Sequence, residues 1–265
     1  MKPIAIFGIT GRMGQSLLRA LQEEPASFAL SGAIASADSG RLGQDAGDDG
    51  VLCGVLITSD SELGIRGAAV AVDFSSSGGV AAHARACAAA RVPLLIGTTG
   101  FDADSRMILE RAAGEIPLLI ASNTSVGVSV VAQLVSMAAS GLGLSYDVEI
   151  FEAHHRMKRD APSGTALALG EAVAMARGQS LSEVATYDRT GHSTPRSPGS
   201  IGISSLRAGD IVGEHTVTFA AAGERVEITH RATDRLIFAR GALRAAEWLI
   251  GRPAGLYGMR DVLGF

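Results

Sequence analysis

The chain opens on a strand, a glycine turn and a helix, and that order constrains the fold more than anything after it. The run is Ile4-Ala-Ile-Phe-Gly8-Ile-Thr-Gly11-Arg-Met-Gly14-Gln-Ser-Leu-Leu. Consecutive apolar residues with no polar alternation read as a strand covered on both faces, as in a parallel sheet. Residues 12–24 then carry the apolar spacing of an amphipathic helix. Such a junction suits a phosphate, because the first N–H groups of the helix and its dipole both favour negative charge. The spacing is Gly-x-x-Gly-x-x-Gly rather than Gly-x-Gly-x-x-Gly, so it approximates the dinucleotide fingerprint without reproducing it.

The pattern continues through the first half of the chain. Short apolar runs at 28–35, 69–74, 93–96 and 117–121 are separated by helix-like segments at 79–91 and 102–114. Apolar strands joined by helices predict a doubly wound α/β domain of Rossmann type. Two more turns follow strands here: Gly97-Thr98-Thr99-Gly100 and Ala121-Ser122-Asn123-Thr124. Ligands of open α/β sheets lie outside the carboxyl ends of strands, so three such ends together favour a nucleotide crevice. After residue 145 the character changes. Alternating strands are expected at 147–153, 201–207, 216–220 and 226–231, with a helix at 164–177. A second α+β domain on a mixed sheet fits that alternation. Residues 186–200 read as a long loop, and the helix at 236–250 is expected to pack back on the first domain.

Residues 152–165, Glu-Ala-His-His-Arg-Met-Lys-Arg-Asp-Ala-Pro-Ser-Gly-Thr, hold the densest chemistry in the chain. His154 can supply a proton near neutral pH, and Lys158 is a proton donor or an electrostatic clamp. On an extended strand His154 and His155 point to opposite faces. Ser163 suits the N-cap of the following helix, which offers the N–H groups of Gly164 and Thr165 to an anion. No second histidine pair or cysteine ligand set stands nearby, so no metal is expected. Ser163 also lacks the Gly-x-Ser-x-Gly elbow of a nucleophilic hydrolase.

Composition narrows the classes further. With 23 Lys and Arg against 27 Asp and Glu the net charge is −4, too acidic for the broad basic surface of a nucleic-acid binder. The two cysteines, Cys53 and Cys87, sit in no CxxC motif and read as buried free thiols of a reducing cytosol. The N-terminus runs straight into a strand, with no signal peptide expected. Residues 116–146 carry no charged side chain, but Pro117, Asn123 and Gln133 interrupt them. A buried strand and a helix covered on most sides are expected there rather than a membrane span.

These motifs resemble the 4-hydroxy-tetrahydrodipicolinate reductase family, long called dihydrodipicolinate reductase. The resemblance covers nearly the whole chain. It rests on Gly11-Arg-Met-Gly14, Ile96-Gly-Thr-Thr-Gly-Phe101, Asn123 with Ser125-Val-Gly127, Glu152-Ala-His-His-Arg156, Lys158, Asp160-Ala-Pro-Ser-Gly-Thr-Ala166 and Arg207-Ala-Gly-Asp-Ile-Val-Gly-Glu-His215. It implies transfer of a hydride from NADPH or NADH to the ring of a cyclic dicarboxylate, with loss of water and formation of tetrahydrodipicolinate. His154 matches the family's proton donor and Lys158 its catalytic lysine. His155, Lys158, Gly164 and Thr165 match positions that hold the substrate carboxylates, with Ser163 beside them, and Arg235 falls at a hinge. Gly8, Ile9, Thr10, Gly11, Arg12, Met13, Gly97, Thr98, Thr99, Ala121, Ser122, Asn123 and Thr124 match nucleotide contacts.

The resemblance also implies a homotetramer assembled through the second domain's sheet, with the 186–200 loop near the oligomer surface or cleft, and the free thiols and the N-terminus make a cytoplasmic location the expectation. Residues 1–125 with 235–265 would form the dinucleotide domain, and 126–234 the substrate and tetramerisation domain. There are two departures. The acid expected after the second strand falls on Ser36, with Ala37 and then Asp38 following, which favours dual use with NADPH at least as good as NADH. The family's Asp-Phe-Thr-x-Pro stands here as Asp73-Phe-Ser-Ser-Ser77, a change expected to loosen a loop. A nucleotide-binding regulatory protein of the same fold without turnover is the alternative, and the presence of both His154 and Lys158 argues against it.

Overall fold

The computed structural model describes residues 1–23, 27–47, 52–191 and 193–265. They fall into two compact units, Met1–Val126 with Leu236–Phe265, and Gly127–Arg235.

The first unit runs β1 (Lys2–Phe7), α1 (Arg12–Glu23), β2 (Phe28–Ile34), β3 (Ile57–Thr58), α2 (Ser61–Gly64), β4 (Val70–Asp73), α3 (Val80–Ala90), β5 (Leu94–Ile96), α4 (Ala103–Ala113) and β6 (Pro117–Ile120). The chain passes through α5 (Val126–Leu142) into the second unit. There it forms β7 (Asp147–His154), α6 (Gly164–Ala176), α7 (Leu181–Val184), β8 (Ala185–Thr186), β9 (Ile201–Arg207), β10 (Gly213–Ala221) and β11 (Glu224–Ala232). It returns through α8 (Leu236–Leu249), β12 (Gly255–Tyr257) and α9 (Met259–Leu263).

The first unit's sheet has the order β12-β6-β5-β4-β1-β2-β3, and every pairing is parallel. Along β1 the side chains alternate between two cores, which is why the strand is apolar at every position from Ile4 to Phe7. Ile4 and Ile6 join Leu17 and Leu21 of α1 and Ala239, Ala242 and Ala246 of α8 on one face. Ala5 and Phe7 join Ala84 and Cys87 of α3 and Leu109 of α4 on the other. From β1 the chain adds β2 and β3 on one side and β4, β5 and β6 on the other, so the strand order reverses between β1 and β4, and the crevice beyond their carboxyl ends is the place where this architecture binds ligands.

The second unit carries a mixed sheet, β11-β10-β7-β9-β8, antiparallel on one side of β7 and parallel on the other. Val148 and Ile150 of β7, Val217 and Phe219 of β10 and Ile203 of β9 pack against Leu169 and Val173 of α6 and Val131 and Val135 of α5. The other face shows Phe151 and Leu206 exposed.

Three expectations change. The helix at 126–142 is not covered on most sides. Only Val131, Val135 and Ala139 are buried, a single stripe spaced by four residues, while Val130, Leu134 and Met137 stay exposed. Residues 126–145 are long and apolar enough to cross a membrane by length and composition. Of the two thiols Cys87 is buried, but Cys53 is half-exposed beside the Asp45 carboxylate. The turn after β4 is not loose without its proline. Asp73 accepts the Ser75 N–H at 2.8 Å, and Gly79 N–H bonds Ser76 C=O.

Candidate active site

The crevice of the first unit is built mostly from backbone. Gly8 has φ +78°, and a Cβ there would lie 2.6 Å from the Phe74 carbonyl oxygen. A Cβ on Gly14 would lie 2.3 Å from the Gly8 carbonyl oxygen, so α1 begins pressed against the turn. Only glycine permits both. The space left open is a cleft of about 350 Å³ lined by Gly8, Thr10, Gly11, Ser36, Ser75 and His83, among others. Thr10, Gly11, Arg12 and Ser36 are exposed around it. Ile9 is fully buried, with its N–H bound to Ile34, and Met13 packs into the core, so these two shape the turn from inside.

The neighbouring loops divide in the same way. Gly97 packs on the Phe74 ring and Thr98 is buried with its hydroxyl on Asp73, while Thr99 is exposed. Ala121 is buried, Ser122 exposed, and Thr124 is tied to the Phe238 carbonyl at 2.7 Å. Asn123 accepts the Ser125 N–H at the start of α5. Arg41 turns to Asp45 and Gly47 carbonyls of its own loop, which leaves Arg12 as the basic side chain at the glycine turn. Asp38 is held below the usual carboxylate range first by a hydrogen bond from the Ser36 hydroxyl.

The second unit's site is made of charges. His154 ends β7, and Lys158 follows in the turn closed by Lys158 N–H to His155 C=O. Lys158 Nζ lies 2.8 Å from Asp160. Ser163 caps α6 by accepting the Ala166 N–H at 3.1 Å, with Gly164 exposed and Thr165 half-buried at the helix start. His155 is half-buried, and Arg235 is exposed at the last position of this unit.

Beneath these groups lies a polar network that sequence reasoning quoted without assigning. Glu152 is fully buried and accepts His154 Nδ1–H at 2.6 Å, both guanidinium N–H groups of Arg207 and the Ser163 N–H at 3.0 Å. His215 Nε2 lies 3.0 Å from Ser163 Oγ, and its ring meets His154 edge-on at 5.2 Å. Burial and then the neighbouring His154 hold the His215 imidazole neutral, down to about 4. Burial likewise pulls His154 below its ordinary value, against the pull of Glu152. One signal was available. Residues two apart on a strand share a face, so Glu152 had to stand beside His154. In the first unit His83 was also missed. It bonds Asp73 at 2.8 Å, stacks on Phe7 and lines the cleft.

Fold and site together define a class: Rossmann-type α/β proteins that carry, on a second α+β unit, a histidine–lysine cluster beside a helix N-terminus. The family models are more specific. The N-terminal dihydrodipicolinate reductase model matches residues 2–124 and the C-terminal one residues 127–263. The chain belongs to the dihydrodipicolinate reductase family. It is 50% identical, over 100% of its length and 98% of the relative's, to a 4-hydroxy-tetrahydrodipicolinate reductase of Anaeromyxobacter dehalogenans strain 2CP-1. The enzyme of the same name from Thiobacillus denitrificans is 49% identical over 98% of both chains. Among solved structures, the dipicolinate-bound dihydrodipicolinate reductase of Paenisporosarcina sp. TG-14 shares the fold, with a TM-score of 0.76 at 23% identity over 98% of this chain and 99% of that one. An amine dehydrogenase from Mycobacterium smegmatis shares it more distantly, with a TM-score of 0.56 at 12% identity over 96% and 94% of the two chains.

Proposed function

We propose that the chain is a cytoplasmic reductase that converts 4-hydroxy-tetrahydrodipicolinate to tetrahydrodipicolinate in diaminopimelate and lysine biosynthesis. The observation that carries this is the grouping of His154, Lys158 and the α6 N-terminus on one short stretch of the second unit. A substrate with two carboxylates needs fixed cations and a helix N-terminus, and reduction needs a proton as well as a hydride. His154 is the proton donor. Lys158, His155, Gly164 and Thr165 bind the carboxylates, with Ser163 holding the helix start and Arg235 adding a contact. Lys158 must exchange Asp160 for the substrate to do so.

A nicotinamide dinucleotide fits the first unit, because the positions where a Cβ would block the turn, Gly8 and Gly14, are glycine. Gly8, Thr10, Gly11, Arg12, Ser36, Gly97, Thr99, Ser122 and Asn123 would hold it, and Ile9, Met13, Thr98, Ala121 and Thr124 would shape the loops around it. When bound, this group supplies the hydride. Both NADPH and NADH are used, with NADPH at least as good. Ser36 carries no charge to repel a 2′-phosphate and Arg12 stands at the turn. Asp38, bonded to Ser36, keeps NADH in play by accepting from a ribose 2′-OH.

The protein assembles as a homotetramer through the uncovered sheet face of the second unit. The exposed Phe151 and Leu206 support this, as apolar residues that a partner subunit would cover. The test of the whole reading is oxidation of NADPH by the purified chain, with substrate generated by a coupled synthase. Oxidation that depends on the synthase product supports it. Nucleotide binding without such turnover would favour the regulatory alternative.

A further inference from the structure

The carboxylate under the site is engaged on every side. Oε2 of Glu152 accepts His154 Nδ1–H at 2.6 Å and Arg207 at 2.7 Å, while Oε1 accepts Arg207 at 2.6 Å and the Ser163 N–H at 3.0 Å. A buried carboxylate is costly unless paired and fully hydrogen-bonded, and these four donors meet that condition. Burial pushes the Glu152 carboxyl up. The bonds from Arg207, His154, Ser205 and Ser163 outweigh it and carry the group down to about 2. Around neutral pH Glu152 is therefore ionised and an acceptor only.

An acceptor at Nδ1 decides the state of the imidazole. Neutral His154 must keep its proton on Nδ1, which leaves Nε2 as the atom that gains and releases a proton. Nε2 points toward Gly213 of β10, where an added Cβ would stand 3.1 Å away, so a glycine there leaves this nitrogen its room. The same carboxylate, through Ser163 N–H, holds the cap of α6 and hence the first turn at which we place the substrate carboxylates.

We propose that Glu152, clamped by Arg207, is the positioning residue of the reaction: it fixes the Nδ1–H tautomer of His154 and ties the proton-delivering ring to the anion-binding start of α6. The proposal rests on the reductase reading for the use made of the proton, but the tautomer itself does not depend on turnover. The other groups facing His154 are Arg207 from β9, Lys158 from the loop after β7, and the neutral ring of His215 from β10. Arg207 and Lys158 oppose a charge on His154, so Glu152 alone among the four favours it.

The experiment is ¹⁵N NMR of histidine-labelled full-length chain, with His154 assigned by loss of its signals in His154→Gln, followed by Glu152→Gln. The parent should show neutral His154 protonated on Nδ1. In Glu152→Gln either orientation of the amide sets an NH₂ against an Arg207 donor together with that of His154 or of Ser163. The imidazolium of His154 should then titrate about one pH unit or more lower, since an opposite charge at hydrogen-bond distance is lost. With a parent-like circular-dichroism spectrum and dispersed amide signals of the second unit as the control for folding, kcat should fall by about tenfold or more while KM moves less. A parent His154 protonated on Nε2 overturns the proposal without any variant. So does a folded Glu152→Gln chain whose His154 keeps its tautomer and its titration. A parent with the Nδ1–H tautomer and no reductase turnover would sink the reductase reading and leave the hold of Glu152 on His154 standing.

Discussion

The candidate sites of the two units are built in opposite ways. The first clears space: glycines at Gly8 and Gly14 let a strand, a turn and a helix approach closely and leave a crevice open beside them. The second fills space with polar and charged side chains: one buried carboxylate, an arginine and two histidines are packed so that the carboxylate accepts from four donors. The contrast predicts how each site fails. A backbone site is damaged by adding atoms, and a charge network by removing a proton acceptor or donor.

The largest effect belongs to the charge network. His154→Gln should lower kcat by ~10²-fold or more, the scale of general acid catalysis, with NADPH affinity almost intact in fluorescence titrations. A drop in nucleotide affinity of the same size would mean the contrast between the units is false.

Next is a stability effect confined to the second unit. His215 is kept neutral by burial, titrating near 4 when folded against an ordinary 6.5. The unfolded chain therefore binds the proton first, and stability drains away as pH falls from 6.5 toward 4, by up to about 3 kcal/mol. Above pH 6.5 this contribution is fully present. Urea titrations across that window should show the slope, and His215→Asn should flatten it.

For the backbone site, Gly14→Ala places a Cβ 2.3 Å from a carbonyl oxygen that cannot swing away. The strain should cost about 1–3 kcal/mol, seen as weaker NADPH binding with dicarboxylate binding spared. An effect of the same size is expected on selectivity. Ser36→Glu should shift preference toward NADH by ~1–3 kcal/mol, the order of one charge-assisted contact. A parent that already prefers NADH strongly in kcat/KM would show that Asp38 does the work of the missing acid.

How much of this was legible in the sequence follows from the same contrast. β5 and the Ile4–Phe7 stretch of β1 were readable because they are buried on both faces and so apolar at every position. The two-residue β3 and the three-residue β12 were not, since neither is long enough to carry a period. The glycine turn and the basic run at 152–165 are local in sequence, and their positions were legible. The partners that give the run its order are distant: Arg207 lies 55 residues from Glu152, and His215 lies 52 from Ser163. Both were visible as motif residues, but no spacing rule assigns a through-space hydrogen bond. The uncovered face of α5 was misread because a chargeless helix looks the same whether its own fold or a partner subunit covers it.

The central claim is that the dicarboxylate is held by the second unit and the nucleotide by the first. Calorimetric titration of Lys158→Ala with pyridine-2,6-dicarboxylate and, separately, with NADPH tests it most directly. The account predicts a loss of dicarboxylate affinity of about 10–100-fold, the worth of a hydrogen bond to a charged group, with NADPH affinity unchanged. Dicarboxylate binding equal to that of the parent would contradict it and place the carboxylates elsewhere.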